Sequence, residues 1–368
     1  MRILILNWRD PLNPRSGGAE IVTLELARQW TKHGYSVTWY ASRFPNSTKK
    51  TSVYGIDVIR YGNYFTVYLL APFYYLFNRN RFDIVVDQVH GLPFLTPLYV
   101  RKPKLVLIHE VAGEIWDNMF IFPISKFGKL AELLYFIFYR RTDFMVPSKS
   151  TRHELLDKGI SAKNITIFNC GVNSMPLQKF PKEKSPTFIF VNRLVRMKGV
   201  ENVINSFPYI LEQLPSSKLW LVGGGEASEV KRLKKVIATR KLNSKVTFFG
   251  RVAEVKKFEL MRRAHIMLHA SVKEGWGLVV IEAAGQKTPS VVYNVGGLRD
   301  SVRHGKTGII IKNNTPESLA SEASTLLKNR KLYSKIQKNA YAWSKSFTWE
   351  SSAKPSLRIF KKFKLTSE

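Results

Sequence analysis

The chain reads as an α/β protein made of two doubly wound domains, and three observations lead there. Short apolar runs with the look of buried parallel strands, RILILNW first among them, alternate with amphipathic stretches of helical period such as IVTLELARQWTKHG. That alternation restarts at TFIFV, after the polar, Pro- and Lys-rich segment MPLQKFPKEKSP, which has the composition of a linker. A chain of 368 residues with 45% hydrophobic content is also long enough for two cores of ordinary size. The expected boundary divides it into domains over 1–178 and 179–349, with a final helix over 350–368.

After the first strand comes the loop RDPLNPRSGGAE and a helix that His33 and Gly34 close. Gly17 and Gly18 precede that helix, where a missing Cβ lets the backbone approach a ligand; a plain helix entry fits the local sequence equally well. YSVTWYAS and IDVIRYG continue the strands. Tyr61 to Asn78 then carries no charge over eighteen residues, but Pro72, Gly62, Asn63 and five tyrosines favour a core or interfacial helix over a transmembrane span. Trp116 to Arg141 is a second aromatic stretch, interrupted by Lys126, Lys129, Arg140 and Arg141. Such a composition suits a helix lying on an anionic bilayer as well as a core helix with solvated lysines. His90 and His109 end the strands FDIVVDQVHG and KLVLIHEV, where an open α/β sheet keeps its ligands. DFMVPSKSTRHELLDKG adds a strand and a helix, with Ser148 and Ser150 as capping candidates, and NITIFNCGVN a last strand.

In the second domain, TFIFVNRLVRMKGVENVINSF is a strand, a basic loop and a helix. Arg193 and Lys198, five residues apart in that loop, can meet one diphosphate as a fork and a point charge. The next strands break at Gly223-Gly224-Gly225 and at Gly250-Arg251-Val252. HIMLHAS leads into the most informative stretch, SVKEGWGLVVIEAAGQKTPSVVYNVGGLRDSVRHGKTG, from Ser271 to Gly308. Glu274 and Glu282 stand there as E-x7-E, with a helix expected to open at Gly277 and close near Gly285. Eight residues of helix span about 12 Å and just over two turns, so two such acids point one way and can grip a long ligand twice. The open N–H groups of Gly277, Leu278 and Val279 suit a phosphate or diphosphate. A helix cap at Glu274 with a solvated Glu282 is the plain alternative. A buried strand is then expected to end at Gly296-Gly297, with HGKTGIII turning into another.

Composition narrows the function classes. Lys and Arg number 58 against 27 Asp and Glu, a net charge of +31 that draws the chain to polyanions or to an anionic surface. No helix-turn-helix, zinc-finger or RNP signature supports nucleic acid as the partner, and the missing G-x-G-x-x-G argues against a nicotinamide-dependent oxidoreductase. Cys170, the sole cysteine, excludes a disulfide framework, reads as a small core residue and points to a reducing compartment. MRILILNW is too short for a signal-peptide core, so no secretion is expected. No Cys/His spacing suggests a metal.

The order of acids, glycines and strands from Ser271 to Gly308 resembles the nucleotide-sugar half of the retaining glycosyltransferases of family 4, also called glycosyl transferases group 1. The resemblance covers almost the whole chain and is strongest from 187 to 310. It implies the GT-B fold, two Rossmann-like doubly wound domains facing across a cleft, with the acceptor on the first and the donor on the second. It implies that Glu274 faces the donor sugar, that Glu282 holds the ribose hydroxyls, and that Arg193 and Lys198 neutralise the leaving diphosphate. Gly17 and Gly18 would face that diphosphate, Arg251 and Val252 would lie by the base, and Gly223, Gly277, Leu278 and Val279 would complete the donor site. His109 would assist at the reacting sugar, and the last helix, from FTWE, would cross back to the first domain. This chain departs from the family pattern at Asn173, Asn192, Lys287 and Asp300, where Asp, Gly, Gly and Glu are usual. With the charge and the aromatic stretches added, the expectation is a retaining, metal-independent hexosyltransferase that needs no cofactor beyond a UDP- or GDP-linked sugar. It would use a glycan or lipid-linked acceptor as a peripheral enzyme on the inner, cytoplasmic face of an anionic membrane, with no nucleic acid partner. The same site would serve a soluble acceptor, which would leave the aromatic, basic first domain without a purpose.

Overall fold

The computed structural model describes residues 1–113, 115–116, 122–173, 176–177 and 179–365. Residues 117–121 of the second aromatic stretch, 175 and 178 of the expected linker and 366–368 of the tail lie outside the described residues. The chain forms two compact units, Met1–Gly171 with Trp349–Glu368, and Val172–Thr348.

The first unit holds the strands β1 (Arg2–Leu6), β2 (Ser36–Ala41), β3 (Lys50–Val53), β4 (Ile56–Arg60), β5 (Ile84–Val89), β6 (Lys104–Ile108), β7 (Asp143–Val146) and β8 (Ile165–Ile167). They form one sheet in the order β3-β4-β2-β1-β5-β6-β7-β8, parallel except for the β3–β4 pair. Nearly all of β1 is buried, as a continuous apolar run covered on both faces should be, and β5 is buried throughout although it carries Asp87 and Gln88. The edge strand β3 has no apolar run to announce it. It is made by the two-residue turn Tyr54-Gly55, whose φ values of 52° and 79° suit a tight hairpin.

Helices α1 (Gly18–Lys32), α2 (Thr66–Asn78), α3 (Ile124–Tyr139) and α4 (Lys149–Asp157) link these strands, and the last helix of the chain, α12 (Trp349–Leu365), packs on α1. Trp30 Nε1 donates to Ser356 Oγ at 2.8 Å, and the Trp30 and Phe360 rings meet edge-on. Ser148 caps α4 by accepting the Thr151 N–H at 3.1 Å, whereas Ser150 lies within the helix. Cys170 is buried and free, and burial pushes its thiol far above the usual range.

The second unit holds β9 (Thr187–Val191), β10 (Lys218–Val222), β11 (Val246–Gly250), β12 (Ile266–His269), β13 (Ser290–Val292) and β14 (Gly308–Ile310), all parallel, in the order β11-β10-β9-β12-β13-β14. Its helices are α5 (Val200–Gln213), α6 (Ala227–Thr239), α7 (Glu254–Arg263), α8 (Leu278–Gly285), α9 (Gly296–Ser301), α10 (Pro316–Lys328) and α11 (Arg330–Ser344). The two-residue period of β9 sends Phe188 and Phe190 into one core and Ile189 and Val191 into the other. From β9 the chain builds outward through β10 to β11, then returns to β12 and builds the other way. The carboxyl ends of β9 and β12 therefore flank the switch point where such sheets hold ligands.

Two expectations are corrected here. The strand before Gly296-Gly297 ends at Val292, and the glycine pair opens α9 instead. A Cβ on Gly297 would lie 2.3 Å from backbone atoms of Gly275 and Trp276, so this glycine is set by close packing and not by a strand end. The segment 179–186 is no free linker: Lys182 Nζ donates to Ala264 O at 2.5 Å and Thr288 Oγ1 at 2.7 Å, and Glu183 pairs with Arg263 at 2.7 Å. Its lysines and prolines suggested solvent, but the Lys182 nitrogen is satisfied by buried oxygens, and burial pushes its pKa well below the usual lysine range.

Candidate active site

The loop after β9 and the loop after β12 are locked together. Gly199 has φ +69°, and a Cβ there would stand 1.8 Å from Ala270 O, a distance no larger residue can adopt. The Val272 N–H donates to Met197 O at 3.0 Å. The consequence is an ion pair between Lys198 Nζ and Glu274 Oε1 at 2.8 Å, both side chains largely buried. Ser271 Oγ donates to the same oxygen at 2.9 Å, and His269 Nε2 lies 3.1 Å from it. His269 is fully buried and its Nδ1 is enclosed without a hydrogen-bond partner, so Nε2 is the nitrogen that faces the carboxylate. Burial pushes the Glu274 carboxyl up, but Lys198 and His269 outweigh it and hold it well below the usual carboxylate range. Glu274 is thus a fixed negative charge.

Around this pair the other loops close in. Asn192 Oδ1 accepts the Arg193 N–H at 2.8 Å, and the Arg193 side chain is exposed. Leu194 N donates to Gly224 O and Gly223 N to Gly250 O, each at 2.8 Å, which ties the loops carrying Gly223, Arg251 and Val252 to the Arg193 loop. Gly223 has φ +141°, and a Cβ on it would stand 1.8 Å from Asn192 O. Arg251 is exposed, whereas Val252 packs on the core. Gly277, with φ +89°, turns the chain into α8, so the N–H groups of Leu278 and Val279 open its first turn next to the Glu274 loop.

Glu282 is placed differently from expectation. Helix α8 begins at Leu278, so Glu274 is not on it, and the two acids are not stacked on one helix face. Glu282 Oε1 pairs with Lys257 Nζ of α7 at 2.8 Å, and its Oε2 is enclosed without a partner. Glycines in EGWG break the helix that uniform spacing assumed. His269, Ser271 and Lys257 were missed by sequence reasoning. His269 ends a parallel strand just as His90 and His109 do, and the same rule would have marked it.

In the first unit the switch point lies between β1 and β5. Arg9 Nη2 reaches Glu20 Oε1 at 3.2 Å and His90 Nε2 at 3.0 Å. Because arginine only donates, that His90 nitrogen accepts. Glu20 Oε2 accepts the Gly17 N–H at 2.8 Å and so caps α1. Gly17 is extended, with φ −140°, and a Cβ on it would meet nothing nearer than Glu20 at 3.9 Å, while Gly18 is the first residue of α1. His109 follows β6, its Nε2 enclosed without a partner; burial pushes its pKa down to about 4, and the nearby His90 adds to the shift. Among the described residues no group of three or more His, Cys, Asp or Glu side chains is gathered as a metal ion would need.

The sequence profile described as Glycosyl transferases group 1 matches residues 175–343, and that described as Glycosyltransferase Family 4 matches residues 16–174. An uncharacterised glycosyltransferase of Methanocaldococcus jannaschii is 27% identical over 82% of this chain and 80% of its own length. The N-acetyl-alpha-D-glucosaminyl L-malate synthase of Bacillus anthracis is 22% identical over 89% of each chain. Sucrose-phosphate synthase from Thermosynechococcus elongatus superposes with a TM-score of 0.82 over 99% of both chains at 19% identity. Anabaena HepE, solved with UDP and glucose, does so with a TM-score of 0.76 over 98% of this chain and 100% of its own at 18% identity. At those identities the structural likeness speaks for the fold, which is GT-B. Since the two profiles together take in residues 16–343, and these relatives stand beside them, the chain belongs to the family 4 (group 1) glycosyltransferases, enzymes of sugar transfer from nucleotide donors.

Proposed function

We propose that this enzyme transfers a hexose from a UDP- or GDP-linked sugar to a glycan or lipid-linked acceptor at a membrane surface, with retention of anomeric configuration. The observation that carries the reading is the Lys198–Glu274 pair at the switch point of the second unit, beside the open N-terminus of α8. In the proposed step the bond between the sugar C1 and the diphosphate oxygen breaks with its electron pair going to the diphosphate. The acceptor hydroxyl oxygen bonds to C1 on the same face and gives its proton to a phosphate oxygen. Lys198, Arg193 and the N–H groups of Leu278 and Val279 stabilise the charge that grows on the leaving group, and no metal ion is called upon.

Glu274, held as an anion, accepts from donor-sugar hydroxyls; Glu282 takes the ribose hydroxyls with the oxygen that Lys257 leaves over; Gly223, Gly277, Arg251 and Val252 line the nucleotide. His109, kept neutral by burial, is assigned to the reacting sugar, and Gly17 and Gly18 to the diphosphate, on the family resemblance. HepE was solved with UDP-glucose, which makes UDP-sugars the first donors to try. Peripheral membrane attachment fits the basic composition, and no helix among the described residues is long and apolar enough to cross a membrane. Activity is tested with Lys198→Ala and Glu274→Gln, each expected to lower kcat at least about a hundredfold, some 2.7 kcal/mol of barrier. Turnover near that of the wild type, or a product of inverted anomeric configuration, contradicts the reading.

A further inference from the structure

Helices α2 and α3 each bury one face and leave the other apolar in solvent. On α2, Val67, Ala71, Tyr74 and Tyr75 enter the core, while Leu69 is 70% exposed, Phe73 61% and Phe77 87%. On α3, Tyr135, Phe136 and Tyr139 are buried, while Phe127, Leu130 and Leu134 form an exposed stripe at helical spacing. The two faces lie on one side of the sheet. Both helices are crossovers running the same way across a parallel sheet, β4 to β5 and β6 to β7, which puts them on one side of it. The turn Thr96–Leu98 joins them, with the Thr96 N–H donating to Tyr139 Oη at 3.1 Å, the Tyr99 ring against Tyr75, and Leu98 itself 58% exposed. Monomeric proteins rarely expose so long an apolar ridge without a partner.

Charge says which partner. Both helices run antiparallel to the strands, so both end at the same edge of the sheet, where Arg79, Arg81, Arg101, Lys102, Arg140 and Arg141 are all exposed. Helix α2 has no acid, and the one acid of α3, Glu132, is fully buried and paired with Lys158 at 3.3 Å. Since neither helix exposes an acid, a second copy set on the ridge would bring the basic rim no anionic counterpart from either helix. An anionic bilayer neutralises the rim and takes the aromatic and leucine side chains between its headgroups.

We infer that the α2–α3 ridge is the membrane-docking surface, lying in the plane of an anionic bilayer with Phe73, Phe77 and Phe127 among the inserted side chains. This rests on, and deepens, the membrane reading given above. The test is flotation of the full chain with phosphatidylglycerol vesicles and with phosphatidylcholine vesicles, beside light scattering of the protein alone. The variants are Leu69→Ser/Phe73→Ser/Phe77→Ser and Arg140→Glu/Arg141→Glu, all at exposed positions, with an unchanged circular dichroism spectrum as the check on folding. The expected results are binding that prefers phosphatidylglycerol, a loss of at least about tenfold in partitioning for each variant, and a monomer in solution. A wild type that binds neither vesicle overturns the membrane reading itself. Binding that both variants retain overturns only the assignment to this ridge. A dimer that the serine variant dissociates assigns the ridge to a second copy instead.

Discussion

Glu274 Oε1 receives Lys198, Ser271 and His269 together, and of these three partners only Lys198 was legible in the sequence. The EGWG loop and the basic loop before α5 each advertise themselves by composition; a histidine inside HIMLHAS looks like any other buried ring. His269 holds the carboxylate from behind, so His269→Ala should leave Glu274 a donor short and lower kcat more than it raises KM. His269→Gln, which carries an N–H at the position of Nε2, should recover most of the loss. Equal kinetics for the two variants would reduce His269 to a packing role. His109 makes a second prediction at this scale. Its folded pKa of about 4 lies below the ordinary 6.5, so between those values the unfolded chain binds a proton that the folded chain refuses. Stability therefore falls as pH drops through that window, by up to about 3 kcal/mol from this residue. His265, pushed down to about 4 by burial and by Lys182, and accepting the Thr187 N–H on Nδ1 at 3.1 Å, acts in the same direction. Urea midpoints measured from pH 7 to pH 4 should decline less steeply in His109→Gln than in the wild type. An unchanged slope would show that His109 does not resist protonation.

The strands that carry the site were readable as elements because buried parallel strands are unbroken apolar runs. What sequence periodicity did not give was set by close backbone approach at Gly297, by the tight Tyr54-Gly55 turn that makes β3, and by the side-chain contacts that tether the segment around Lys182. The same closeness makes glycine substitutions informative. Gly199→Ala meets the Ala270 carbonyl at 1.8 Å with φ +69°, and should cost about 2–4 kcal/mol, read as a lower melting temperature together with weaker donor binding. Gly17→Ala, extended and uncrowded, should leave the melting temperature unchanged, so that any loss of donor affinity reports a ligand near α1. At the end of α8, Lys287 holds φ +54° where the family usually has glycine. Lys287→Gly should therefore raise stability by about 0.5–1 kcal/mol, and a lower melting temperature would show that the contact of the lysine Nζ with the Tyr341 ring outweighs the strain.

For the whole molecule, the two units and their doubly wound sheets followed from a pattern that repeats, and the charge of +31 was plain from composition. Hydropathy alone left open whether the aromatic stretches face a core or a bilayer, because it does not say which side of a helix is covered. Each helix does both: its tyrosines, with Phe136 of α3, close the sheet, and its leucines and remaining phenylalanines stay outside. The proposed function depends on one physical condition, that positive groups of the second unit receive a nucleotide's diphosphate. Calorimetric titration of UDP, GDP and ADP, and of the matching nucleosides, into the wild type and Arg193→Ala tests it most directly. For the nucleotide that binds, Arg193→Ala should weaken the diphosphate at least about tenfold, some 1.4 kcal/mol, and leave the nucleoside unaffected. Equal diphosphate affinity in the two proteins would contradict it.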